Sequence, residues 1–242
     1  MTDSNTQQEE QLGFFVYIIE SPAPVDLYHR RGEGDMLRQA VELNQLPCIL
    51  RLAVNLEAFN AALTVGLSEA LEATPNSVPI LHISAHGYAD GIQLSSGQIL
   101  EWSALRDLLI PINRALNGNL VICMSTCEGY SGQRMAMVEN SNDHPFLAIV
   151  GNCRKPTWPE TAIGFATFYH LLANGRGFNE AVEAMRIASG NDNFLLTTAQ
   201  QSQDAYIAYI QELDADEVKE DLEEQIETAP ESSLAKLIRD SK

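Results

Sequence analysis

Positive charge is scarce in this 242-residue sequence: 15 lysines and arginines stand against 33 aspartates and glutamates, a formal net charge of −18. A phosphate backbone would be repelled and no basic stripe offsets the imbalance, so nucleic acid is not expected as a direct partner. Long apolar runs are also missing. None approaches the ~18 residues that a membrane helix needs, and no membrane insertion is expected. The opening MTDSNTQQEEQ is polar and acidic, unlike a secretory or transit signal, and the corresponding expectation is a cytoplasmic protein. Cysteine is sparse, at Cys48, Cys123, Cys127 and Cys153. No CxxC pair occurs, and three of the four lie in apolar runs. That usage speaks for buried thiols plus at most one reactive one, not for a disulfide framework. RRGEGD and GRG lack the lysine and spacing of a P-loop, no G-x-G-x-x-G follows a strand, and no G-x-S-x-G elbow occurs.

What is present is an alternation of short apolar runs with helical patterns. FFVYIIE (14–20), CILRLAVN (48–55), VPILHISAHG (78–87), NLVICMSTC (119–127), PFLAIVGNC (145–153) and NFLLTTA (193–199) read as strands. Between them, DMLRQAVELNQ and LEAFNAALTVGLSEALEA have helical periodicity, the second capped by Asn55. SALRDLLIPINRAL is helical with a break expected at Pro111. PETAIGFATFYHLLANG and FNEAVEAMRIASG end at glycines, as helix C-termini prefer. GIQLSSGQILEW reads as a small hairpin turning at 95–97. The pattern predicts an α/β fold: a mostly parallel sheet covered on both faces and joined by right-handed crossovers. Three stretches are expected: a polar segment at 1–12, a domain at 13–199, and an acidic, partly helical tail at 200–242. Within that tail, 212–231 holds ten acids against Lys219 alone. This is a solvated helix or a docking segment for a regulatory partner of basic character.

In parallel sheets, ligands collect at the carboxyl ends of the strands. Two predicted strands finish there with reactive groups: LHISAHGYAD offers His86, and VICMSTCEGY offers Cys127. Adjacent strands would bring the two ends to about 5 Å and an intervening strand to about 10 Å, so both can approach one substrate carbonyl. A thiol attacks once ionised, and a neighbouring imidazole supports the thiolate and then protonates the leaving amine. Gly87 and Gly129 would let backbone approach a substrate, with exposed N–H groups forming an oxyanion hole. Zinc is the competing reading, since His82 and His86, and Cys123 and Cys127, lie four apart. On a strand that spacing separates ligands by about 13 Å, too far to share one ion. No metal is expected. His82 and His170 are read as structural, His144 as a loop residue, and Cys123 and Cys153 as core thiols.

These residues resemble the caspase-like cysteine proteases, and among them the CHAT group, which also resembles separase. The resemblance rests on a strand ending His-Gly at His86 and Gly87, a hairpin and a helix, and then a strand ending Ser-Thr-Cys-Glu-Gly at 125–129. The paired helices in 158–190 follow. It implies a caspase-like three-layer α/β/α sandwich and a Cys–His dyad, with Cys127 as nucleophile and His86 as general acid/base. The N–H groups of Gly87 and Cys127 would hold the oxyanion, and no metal or organic cofactor is implied. The implied activity is cutting a specific protein substrate, with activation of a pore-forming partner in bacterial antiviral defence as one role. A silent scaffold that binds partners through its acidic tail is the alternative. Where metacaspase-like relatives carry an aspartate two residues before the cysteine, this chain has Ser125. The expectation is therefore a substrate with a small or uncharged residue before the cut.

Overall fold

The structure, a computed structural model, describes residues 13–139 and 141–228. The expectations for 1–12 and for the tail beyond 228 lie outside the described residues. In chain order the elements are β1 (Gly13–Ser21), α1 (Pro24–Tyr28), α2 (Gly34–Leu43), β2 (Cys48–Leu52), α3 (Leu56–Ala61), a π-helical turn (Ala62–Gly66) and α4 (Leu67–Ala73). There follow β3 (Ser77–Tyr88), β4 (Gly91–Gln93), β5 (Ile99–Glu101), α5 (Trp102–Ala115), β6 (Val121–Ser125) and a 3₁₀ helix (Gly129–Ala136). The chain continues with β7 (Ala148–Asn152), α6 (Trp158–Ala173), α7 (Phe178–Ser189), β8 (Phe194–Thr198) and α8 (Ala199–Thr228).

The sheet runs in the order β2-β1-β3-β6-β7-β8. Every pairing along it is parallel except β7 with β8. The strands are apolar on both sides because helices cover both sides. Along β1, Phe15, Tyr17 and Ile19 enter one core together with Leu63, Leu67, Leu105 and Leu109 from the α3–α5 side. Val16 and Ile18 enter the other with Leu37, Phe165, Phe168 and Met185 from α2, α6 and α7. Period-two alternation on a single strand thus feeds two layers of helix, and the fold is the expected α/β type with a mostly parallel central sheet.

Several local expectations hold for identifiable reasons. The Asn55 side chain accepts the Ala58 N–H at 2.9 Å and starts the helix there. That helix passes through a π turn where the Tyr17 hydroxyl donates to the Ala62 carbonyl at 2.7 Å, inserting into the helical ladder. The hairpin of β4 and β5 turns at Gly97, whose φ is +86°. The expected break at Pro111 does not occur, because α5 continues to Ala115. Pro111 lies on the exposed face, so the helix can bend outward around its ring while Leu105, Leu109 and Asn113 stay buried below. Cys153 is exposed rather than part of the core. β7 stops at Asn152, whose side chain accepts the Arg154 N–H at 2.8 Å and turns the chain away from the sheet.

The first turn of α8 packs onto the domain. Ser202 and Gln203 are buried, and Gln203 donates to the carbonyls of Val138 and Ser141 at 2.7 and 2.8 Å. No helix among the described residues is long and apolar enough to cross a membrane.

Candidate active site

Because the chain moves from β1 to β2 on one side and then to β3 on the other, the sheet reverses direction of winding between β1 and β3. A crevice opens at the carboxyl ends of strands at such a switch point. A cleft of about 60 Å³ lies there, lined in part by Pro22 after β1, Glu33 before α2, Ser84 and His86 on β3, and Ser125 and Cys127 at the end of β6. Both sequence-predicted reactive residues therefore border one cavity.

Their meeting follows from strand register. β3 and β6 are direct neighbours, and their last paired residues are Ser84 and Ser125. His86 and Cys127 each lie two residues beyond that pair. From His86 onward, β3 turns out of the parallel sheet and pairs antiparallel with β4, Gly87 opposite Ile92. Here it presses against the turn after β6. A Cβ on Gly87 would collide with the Cys127 carbonyl oxygen and would stand 2.8 Å from the Thr126 side chain. Only glycine lets the histidine-bearing strand approach the cysteine turn so closely.

His86 is exposed at the rim, and Cys127 is half-buried. The Cys127 thiol is pushed up from its ordinary pKa, chiefly by burial and also by the Glu128 carboxylate. Lys155 acts in the opposite direction. Lys155 also pairs with Glu128 at 3.7 Å, so part of its charge is spent there. Among the described residues, the Cys127 N–H donates to no backbone carbonyl, leaving it available to an oxyanion. Gly129 does not join it. It is buried, its N–H donates to the Thr126 carbonyl at 3.2 Å, and a Cβ would stand 2.6 Å from the Thr126 hydroxyl oxygen. Its place is to tighten the turn rather than to touch substrate. Ser125 lines the cleft, but its hydroxyl donates away, to Glu33 at 2.6 Å.

Glu33 is the residue that the sequence pattern did not single out. It is 3% exposed, and its Oε2 also accepts the Ser84 hydroxyl at 2.8 Å. Its Oε1 is buried with no partner. The His82 Nε2, also without a partner, lies 4.0 Å from the Glu33 carboxylate. Glu20 holds the loop from behind, accepting the Gly34 N–H at 2.8 Å and the Glu33 N–H as well. The signal was a glutamate between two glycines on the loop leaving the first strand, immediately ahead of a helix. Asp26, Arg31 and Asp90 are committed elsewhere: Asp26 pairs with Arg31 at 3.6 Å, and Asp90 with Arg134 at 2.9 Å.

Of the remaining histidines, His82 is buried against Tyr169, with Nδ1 2.8 Å from the phenol oxygen. His170 meets Asn44 at 2.7 Å, and His144 meets Gln200 at 3.3 Å. No group of three or more His, Cys, Asp or Glu among the described residues could hold a metal ion.

No family model matches the chain, and no curated protein matches it by sequence. Among solved structures, it is similar to the Arg-specific cysteine proteinase gingipain R (RgpB), with TM-score 0.44 and 10% identity over 72% of this chain and 41% of the other. It is also similar to the complex of the Porphyromonas gingivalis RgpB pro- and mature domains, with TM-score 0.46 and 9% identity over 75% and 46%. The protein spans less than half the length of either of these chains.

Proposed function

We propose that the protein is a caspase-like, CHAT-type cysteine endopeptidase whose Cys127–His86 dyad cleaves a specific protein substrate, with 13–199 as the catalytic unit. The observation that carries this reading is the convergence of His86 and Cys127 on one cleft at the carboxyl edge of adjacent strands, enforced by the close packing of Gly87 on the Cys127 turn.

In this mechanism the imidazole of His86 takes the Cys127 proton as the sulfur attacks the scissile carbonyl carbon. The carbonyl oxygen becomes an oxyanion, received by the N–H groups of Cys127 and Gly87. The C–N bond then breaks, the imidazolium gives its proton to the departing amine, and a thioester to Cys127 remains. Water attacks the thioester, with His86 now as base, and releases the acid and the thiol. Burial keeps the resting thiol protonated, so ionisation is coupled to substrate arrival.

A cytoplasmic role in bacterial antiviral defence, cutting and so activating a pore-forming partner, extends this reading. So does control by a regulatory partner on the acidic tail. The decisive test is cleavage of a co-expressed native partner by the intact protein, with Cys127→Ala and His86→Ala as controls. Loss of cutting in both, with folding retained, supports the dyad. Undiminished cutting by Cys127→Ala overturns it. The raised pKa of Cys127 favours a second reading, a catalytically silent scaffold that binds partners through the tail. Truncation after Asp214 separates the two: a scaffold loses partner binding, and no peptide bond is cut by either form.

A further inference from the structure

The cleft beside Cys127 has a floor that the proposed dyad does not use, and three of its hydroxyl groups have already given their protons away. The Ser84 and Ser125 protons are both committed to Glu33 Oε2. The Thr161 proton is committed to the Trp158 carbonyl at 3.0 Å. What these groups still present is lone pairs. The buried Glu33 Oε1 has no partner at all. Pro22, Pro156 and the half-exposed Trp158 supply apolar walls. The Thr126 hydroxyl, which also belongs to the lining and has no partner, can accept as well as donate. A ligand matched to this surface has an apolar stem, several donors and a positive charge. Among side chains, that description fits arginine and lysine.

We infer that the cleft is a specificity pocket for a cationic side chain, arginine or lysine, immediately before the scissile bond, with Glu33 as the specificity-determining residue at its floor. The inference rests on the peptidase reading for its placement beside the cut. It replaces the small or uncharged preference expected from Ser125. The charge absent from the turn before Cys127 is supplied instead by the loop after β1. Ser125 and Ser84 hold that carboxylate in place by donating to its far oxygen, which leaves Oε1 to the ligand. A neutral aliphatic side chain in the cleft would leave Oε1 desolvated and unpaired, an arrangement that disfavours such substrates. On the β3 side the carboxylate is faced by the Ser84 hydroxyl, which donates to Oε2 at 2.8 Å, and by the His82 Nε2, 4.0 Å from that oxygen.

The test combines cleavage with binding. Peptides differing only in arginine, lysine, citrulline, alanine or aspartate before the cut are assayed with the full-length protein. Arginine or lysine should exceed citrulline, which keeps the shape and loses the charge, by about 10²–10⁴-fold in kcat/KM. The ratio between arginine and lysine identifies which cation the pocket fits. Glu33→Gln should reduce the preference for charge to about tenfold or less, through KM as well as kcat. Independently, N-acetylarginine methylamide is titrated into Cys127→Ala protein and followed by NMR. Saturable shifts that vanish in Cys127→Ala/Glu33→Gln support the pocket even if no peptide is cut, in which case the peptidase reading falls alone. Equal cleavage of arginine, citrulline and alanine peptides overturns the pocket and leaves the peptidase standing. Absence of both cleavage and saturable binding overturns both.

Discussion

β3 carries two histidines, β6 and the turn after it carry two cysteines, and the two His–Cys pairs behave differently. The inner pair, His82 and Cys123, are register partners on adjacent strands and fully buried. His82 packs edge-on to Phe165, with ring centres 4.7 Å apart, and bonds to Tyr169. Burial raises the Cys123 thiol to about 12. The outer pair, His86 and Cys127, lies four residues farther along each strand, past the last register partners, on the rim of a cleft. Identical residue types at identical spacing become core in one place and candidate chemistry in the other. Position relative to the strand end decides which. The sharpest way to break the comparison is paired substitution. Cys127→Ala should lower peptide cleavage by about 10⁴–10⁶-fold, as loss of a covalent nucleophile does. Cys123→Ala should leave cleavage within about twofold and cost about 1–2 kcal/mol of stability, read by urea unfolding. Comparable activity losses in the two variants would erase the distinction.

A smaller effect tests what brings the outer pair together. Gly87→Ala puts a methyl group into the Cys127 carbonyl and the Thr126 side chain, so β3 and the cysteine turn must separate. Overpacking of this kind typically costs about 1–3 kcal/mol. Displacement of a catalytic pair by about 1 Å costs about 10²-fold in rate. Cleavage should therefore fall about 10²-fold in a variant that still unfolds cooperatively. Unchanged cleavage would show that the close approach does not serve the dyad.

The same strand-end logic explains what could be read from the chain. Apolar runs alternating with helical patterns located the six strands of the main sheet, and His86 near the end of β3 and Cys127 just past β6 stood out because polar and glycine residues interrupted an apolar run. Glu33 was invisible to that logic. It lies 92 residues from Ser125, and nothing in GEG announces that Ser84 and Ser125 will donate to it. Pro111 and Cys153 failed for a related reason. Whether a helix proline faces solvent, or a strand ends one residue before its cysteine, is settled by packing rather than by local pattern. Gly129 has the composition of a substrate loop, yet its position is dictated by Thr126 and Met124 beneath it.

Between the two cysteines the difference also has a pH signature. The thiolate is the reactive form, and burial raises both thiols, Cys123 more completely enclosed than Cys127. Alkylation of Cys127 by iodoacetamide, followed by peptide mass spectrometry, should rise about tenfold per pH unit through neutrality and level off above the ordinary thiol range. Cys123 should stay unmodified in the folded protein. Exposed Cys153 will also react, so the readout must be site-resolved. Lys155→Ala removes the opposing positive charge and should move the Cys127 profile to still higher pH. Glu128→Gln should move it lower. A Cys127 profile levelling off below neutrality would contradict the burial argument.

The smallest effect concerns the carboxylates behind the cleft rather than the thiols within it. Glu20 is buried, and its pKa is raised above the ordinary carboxylate value mainly by burial, although the N–H groups of Gly34 and Glu33 pull it down. A group whose folded pKa is raised binds its proton more tightly in the folded state. Its contribution favours folding below the unfolded pKa and is lost as pH climbs through the folded one. The protein should accordingly lose a little stability on moving from mildly acidic pH toward neutrality. Glu20→Gln, which can still accept the Gly34 N–H through its amide oxygen, should flatten that segment of the stability curve. Urea midpoints for both proteins across pH 4 to 7, the range spanning the ordinary carboxylate value of about 4.3, measure it. A slope unaltered by the substitution would place the titration elsewhere and show that Glu20 takes up no net proton on folding.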